Sequence, residues 1–79
     1  MNNKLKEARM NKGLSQSKLA EITGINVRTL QYYEQGSKNF DHARLDTIFS
    51  VCNALECKLS EIITDENYIE IIGKYEDRI

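Results

Sequence analysis

Apolar residues recur along this chain at intervals of three and four, in short runs separated by glycine or polar clusters. No stretch of useful length alternates with the period of two that a strand requires. Leu5, Ala8 and Arg9 share helical spacing, with Lys4, Lys6, Glu7 and Lys12 around them. Gly13 ends that segment as a C-cap, which predicts a first helix over about 3–12. Ser15 suits the N-cap of a second helix with Leu19, Ala20 and Ile22 facing inward, closed after two turns by Thr23-Gly24. Lys18 stands where a capping box would need an acid. Asn26 caps a third helix, 27–35, and Gly36 terminates it. SKNFDHA, 37–43, reads as a polar loop. Leu45, Ile48, Val51, Cys52 and Leu55 form the buried stripe of a fourth helix over 44–55, and Ser60 caps a short fifth helix carrying Ile62 and Ile63. The fold class expected is all-α.

Composition narrows the field. Seventy-nine residues make one domain at most, and a chain this short buries only about 60% of its unfolded surface. Hydrophobic content of 41% with 29% charged residues is too apolar for a disordered chain. No apolar run approaches roughly 18 residues, so no membrane span is expected. MNNKLKEARMNKG lacks the apolar centre of a secretory signal, and a cytoplasmic location is expected. Cys52 and Cys57 are then reduced thiols at or near the core. One histidine and one C-x4-C pair do not make a four-ligand zinc site, so neither metal nor cofactor is expected. His42 reads as a surface loop residue. With no Ser/His/Asp or Cys/His set and no phosphate-cradling G-x-x-x-x-G-K-[ST] loop, the chain is not expected to be an enzyme.

A net charge of −1 argues against a polyanionic partner until its distribution is considered. Residues 1–40 hold seven Lys or Arg against three Glu, a net of +4, whereas residues 41–79 hold four against nine Asp or Glu, a net of −5. Such a chain can present one positive face while staying near neutral as a whole.

The stretch LSQSKLAEITGINVRTLQYYEQGS has the parts of a helix-turn-helix, two short helices joined by a glycine turn. Ala20 is small where the two helices cross. Gly24, four residues later, supplies the positive φ of a sharp reversal. Ile25 plugs the turn, Leu30 lies under the second helix, and Leu19 and Tyr33 complete the apolar set. This stretch resembles the phage repressor/Cro-type helix-turn-helix family, through Leu14-Ser15-Gln16, Leu19-Ala20, Gly24-Ile25, Leu30, Glu34, Gly36 and the later run L-x-x-I-F-x-V-C-x-A-L. The likeness spans about residues 3–63 and implies a compact five-helix domain that binds duplex DNA. The connection SKNFDHARL is longer than the family's usual one and lacks its frequent proline.

At 100° per residue, Leu30, Tyr33 and Glu34 point one way along the third helix, and Val27, Arg28, Gln31 and Tyr32 cluster opposite. The second group is the expected set of base contacts. Arg28 suits guanine O6 and N7, Gln31 suits adenine, Val27 a thymine methyl, and Tyr32 a base or phosphate, each bidentate pair discriminating by about 1–3 kcal/mol. Thr29 is near enough for a phosphate bond. The resemblance adds the N-terminus of the second helix, with Gln16, and the loop residues Lys38 and Asn39 as phosphate contacts. Lys12 and Lys18 are weaker candidates that solubility explains equally. Arg9 and Glu34 fall on inward faces, and the resemblance implies a largely buried, structural ion pair between them.

Residues 1–64 are expected to form the DNA-binding domain and 65–79 a C-terminal extension. In the extension, Tyr68, Ile71, Ile72 and Tyr75 share a helical face beside Ile69, and Gly73 interrupts the run. Two roles are open to it, a further helix folding over the core or a dimer contact. The function expected is a sequence-specific double-stranded DNA-binding regulator, a repressor acting as a homodimer on a partly palindromic operator. The alternative is a protein-interaction subunit, antitoxin-like, whose acidic half engages a protein partner.

Overall fold

In a computed structural model, which describes residues 3–78, the chain runs through α1 (Asn3–Asn11), α2 (Gln16–Thr23), α3 (Val27–Gln35), a 3-10 turn at Phe40–His42, α4 (Leu45–Leu55), a second 3-10 turn at Leu59–Glu61 and α5 (Glu66–Glu76). No strand occurs among the described residues. The core takes side chains from nearly every element: Leu5, Leu19, Leu30, Phe40, Val51 and Ile62 are almost completely buried, with Ile48, Leu55 and Ile63 beside them. Each such side chain contributes roughly 1.5–3 kcal/mol by leaving water.

Local signals set most boundaries. Ser15 Oγ accepts the Lys18 N–H at 3.0 Å at the start of α2, and Asn26 Oδ1 accepts the Arg28 N–H at 2.8 Å at the start of α3. Each removes one orphan donor of a helix N-terminus. Gly24 stands at φ 76°, in the left-handed region, and its N–H returns to Ala20 O at 2.8 Å. Nothing crowds a Cβ there, so it is the backbone conformation that calls for glycine.

Several expectations fail for identifiable reasons. Ile22 is 51% exposed rather than inward. The covered stripe of α2 is Gln16, Leu19, Ala20 and Thr23, and Ile22 falls about 110° away from its centre at 100° per residue. Leu45, placed in the buried stripe of α4, is 70% exposed, because that stripe is centred on Ile48, Val51, Cys52 and Leu55 and the first turn lies at its edge. The polar loop contains a core residue: Phe40 is buried edge-on to Tyr33, with ring centroids 5.2 Å apart. Ser60 does not cap a fifth helix. It sits inside the 3-10 turn, whose start is held by Glu61 Oε2 accepting the Lys58 N–H, and Ile62 and Ile63 follow the turn into the core. Gly73 does not interrupt α5, which runs through it to Glu76.

The C-terminal helix folds over the core through Tyr68, Ile69 and Ile72. Its docking is fixed by Asp41, a buried carboxylate in the loop after α3. Asp41 accepts the Thr64 N–H at 3.0 Å, the Thr64 hydroxyl at 2.9 Å and the Asp65 N–H at 2.9 Å. Next to it, exposed His42 meets the Tyr68 hydroxyl at 2.9 Å. Cys52 is buried, Cys57 half-buried, and both are free thiols. Burial, reinforced by the neighbouring Cys57, pushes the Cys52 thiol up to about 12, and burial likewise raises Cys57.

Candidate nucleic-acid interface

The exposed edge of α3 is built from below. Leu30 and Glu34 point into the molecule and are buried, with Tyr33 half-buried between them. That orientation leaves Arg28 exposed, Val27 37% exposed, and Gln31, Tyr32 and Thr29 half-buried. Residues three and four apart on a helix are neighbours, so Arg28, Gln31 and Tyr32 form one surface. Gln35, exposed and one turn beyond Gln31, continues it. Gln35 is not among the contacts expected from sequence, although its i+4 spacing from Gln31 carries the signal.

Glu34 is the anchor of this helix. Arg9 donates from Nε to Glu34 Oε2 at 2.7 Å and from Nη2 to Oε1 at 3.0 Å, a bidentate pair with both side chains almost wholly covered. The third guanidinium arm, Nη1, donates to Leu14 O at 2.7 Å and so holds the α1–α2 connection. A buried ion pair is tolerable only when its remaining hydrogen-bonding capacity is met, and no buried side-chain polar atom goes unpartnered among the described residues.

Gln16 joins the same carboxylate, donating from Nε2 to Glu34 Oε1 at 3.1 Å. Its position in the first turn of α2 is beside free backbone N–H groups and the positive end of the helix dipole. Glu34 therefore orients a side chain at the α2 N-terminus as well as holding α3 down.

The loop after α3 returns to the same edge. Lys38 donates its N–H to Tyr32 O at 3.2 Å, and its ammonium stands 5.9 Å from the centre of the Tyr32 ring, within cation–π range. Asn39 is exposed, but its side-chain carbonyl is engaged with the Asp41 N–H at 3.0 Å, capping the 3-10 turn. Neither Arg28 nor Lys38 forms an ion pair among the described residues, unlike Lys12, paired with Glu56 at 3.0 Å, and Lys18, 3.7 Å from Glu21. The structure thus brings Val27, Arg28, Gln31, Tyr32 and Lys38 to one edge, and sets Gln16 at the helix start that shares its anchor.

Two short helices across a glycine turn, the second held down by a buried ion pair and polar on its free side, define a helix-turn-helix domain. A model of the helix-turn-helix family matches residues 5–62, and the chain belongs to that family, in its phage repressor/Cro-type branch of DNA-binding transcription regulators. No curated protein and no solved structure matches the chain. No helix among the described residues is long and apolar enough to cross a membrane.

Proposed function

We propose that the chain is a cytoplasmic, sequence-specific repressor that occupies a partly palindromic DNA operator as a homodimer. The observation that carries this reading is the uncommitted polar edge of α3, fixed in place from its buried side by the Arg9–Glu34 pair. The major groove accepts an α-helix at this depth. Arg28 donates to guanine, Gln31 pairs with adenine, and Val27 meets a thymine methyl. Tyr32 contacts a base or phosphate. Gln16, Thr29, Lys38 and Asn39 hold the sugar-phosphate backbone and set the register of the reading helix. Residues 1–64 form the DNA-binding unit and 65–79 the dimer-forming extension.

Selection from random duplexes tests the reading. An enriched motif with two inverted half-sites about one helical turn apart supports it, as does an affinity that rises steeply when salt is lowered. Recovery of no motif contradicts it. A second reading, an antitoxin-like subunit engaging a protein partner, draws on the exposed Ile71 and Tyr75 of α5. Pull-down with substitutions in α5 compared with α3 separates the two.

A further inference from the structure

On the side of the molecule built by α4 and α5, four large apolar side chains stand in solvent. Leu45 and Phe49 on α4 are 70% and 47% exposed, and Ile71 and Tyr75 on α5 are 64% and 63% exposed. Two hollows of about 240 and 530 Å³ lie along this face and share Leu59, Ile71 and Ile72, so they form one continuous groove. Leu45 borders the first and Phe49 and Tyr75 the second.

We propose that this α4–α5 groove is where a second copy of the chain docks, in a twofold contact that buries Leu45, Phe49, Ile71 and Tyr75 of both protomers. The proposal deepens the dimer of the regulatory reading by naming its surface, and it includes α4 as well as the C-terminal extension.

Size, shape and charge all favour a second copy. A large side chain offers roughly 150–250 Å², so these exposures leave on the order of 500 Å² per protomer, at the upper end for a patch on a monomer. Two such faces closing on one another bury about 1,000 Å², where specific interfaces begin. A twofold contact must be self-complementary, and this face has both projecting side chains and hollows to receive them. Its rim is balanced as well. Arg44 pairs with Asp46 at 3.2 Å beside Leu45, and Lys74 with Glu70 at 3.3 Å beside Ile71. With Lys58 and Glu76 on the second hollow the charges named on this rim cancel, so a second copy meets as many opposite as like charges there. None of Val27, Arg28, Gln31 or Tyr32 lines either hollow, so the contact leaves α3 open.

Sedimentation equilibrium of the full chain without DNA tests the surface. The wild type should sediment as a dimer, and Leu45→Glu and Ile71→Glu should raise its dissociation constant at least ~10-fold, about 1.4 kcal/mol. Both positions are largely exposed, so circular dichroism and thermal melting of the variants should match the wild type. Arg28→Ala should keep the dimer mass, which separates failure of this surface from failure of the DNA reading. A wild-type chain that is monomeric at its highest soluble concentration overturns the proposal. So do correctly folded Leu45→Glu and Ile71→Glu variants that associate like wild type.

Discussion

Gln16 and Glu34 are joined by a 3.1 Å hydrogen bond that ties the first turn of α2 to the buried side of α3. The same carboxylate takes both parallel donors of Arg9. One buried group thereby holds α3 in place and orients Gln16, the phosphate contact of the proposed reading. On the proposed reading stability and recognition share this anchor, and mutations there should move both.

Arg9→Ala tests the shared anchor. Removing one member leaves Glu34 as a buried, underpaired charge and should cost about 3–5 kcal/mol. For a domain of this size that lowers the melting temperature by at least ~10 °C, and DNA affinity should fall with it. A variant that loses DNA binding yet melts like the wild type would refute the structural role.

Arg28→Ala should behave in the opposite way. The side chain is exposed and free of ion pairs among the described residues, so stability should change by no more than about 0.5 kcal/mol. Discrimination at one base pair should fall by about 1–3 kcal/mol. Competition binding with duplexes mutated singly along the selected site measures both the size and the position of the loss.

Asp41→Ala should release α5. Three donors at 2.9–3.0 Å lose their acceptor, including the backbone N–H groups of Thr64 and Asp65. Thr64 and Asp65 are exposed, so water takes up part of the loss, and each bond is worth about 0.5–1.5 kcal/mol. Amide hydrogen exchange should quicken across Glu66–Glu76 more than in α2 and α3. Equal acceleration everywhere would mean that Asp41 supports the whole fold rather than this junction.

The cysteines predict an alkaline limit to stability. The ordinary thiol titrates at 9.0 and the folded Cys52 thiol at about 12. Between those values the unfolded chain gives up a proton that the native chain keeps, so unfolding gains as pH rises. The Cys52 contribution is fully present below about pH 9 and is lost progressively toward about pH 12. Denaturant midpoints measured across that range should fall less steeply in Cys52→Ala than in the wild type. At neutral pH, alkylating reagents should react slowly, and at the half-buried Cys57 before Cys52.

Much of this architecture is written in short-range signals. Asn26 and Gly36 bracket α3 because a cap and a left-handed terminator act on neighbouring backbone, and the 100° spacing alone places Arg28 across the helix from Leu30, with Gln31 on the flank between. What escapes such reading depends on distant packing or on phase. Phe40 lies in a polar run with no periodicity, and its burial comes from joining a core cluster whose other members are distant in sequence. Glu56 ends α4 at φ 52°, where no glycine marks the stop. Ile22 sits about 110° off its stripe, an error of phase, while Leu45 keeps the spacing of its stripe but stands in the first turn, at its end. Within the site, the outward side chains of α3 follow from helical geometry. The Gln16–Glu34 bond spans 18 residues, and no local pattern encodes it.

Amide chemical-shift mapping during titration with the selected duplex bears most directly on the placement of the interface. The largest changes should fall at Gln16–Lys18, Val27–Tyr32 and Lys38–Asn39, with α5 little affected once dimerisation is complete. Changes centred on α4 and α5, with Arg28 and Gln31 unmoved, would contradict a DNA-reading role for α3.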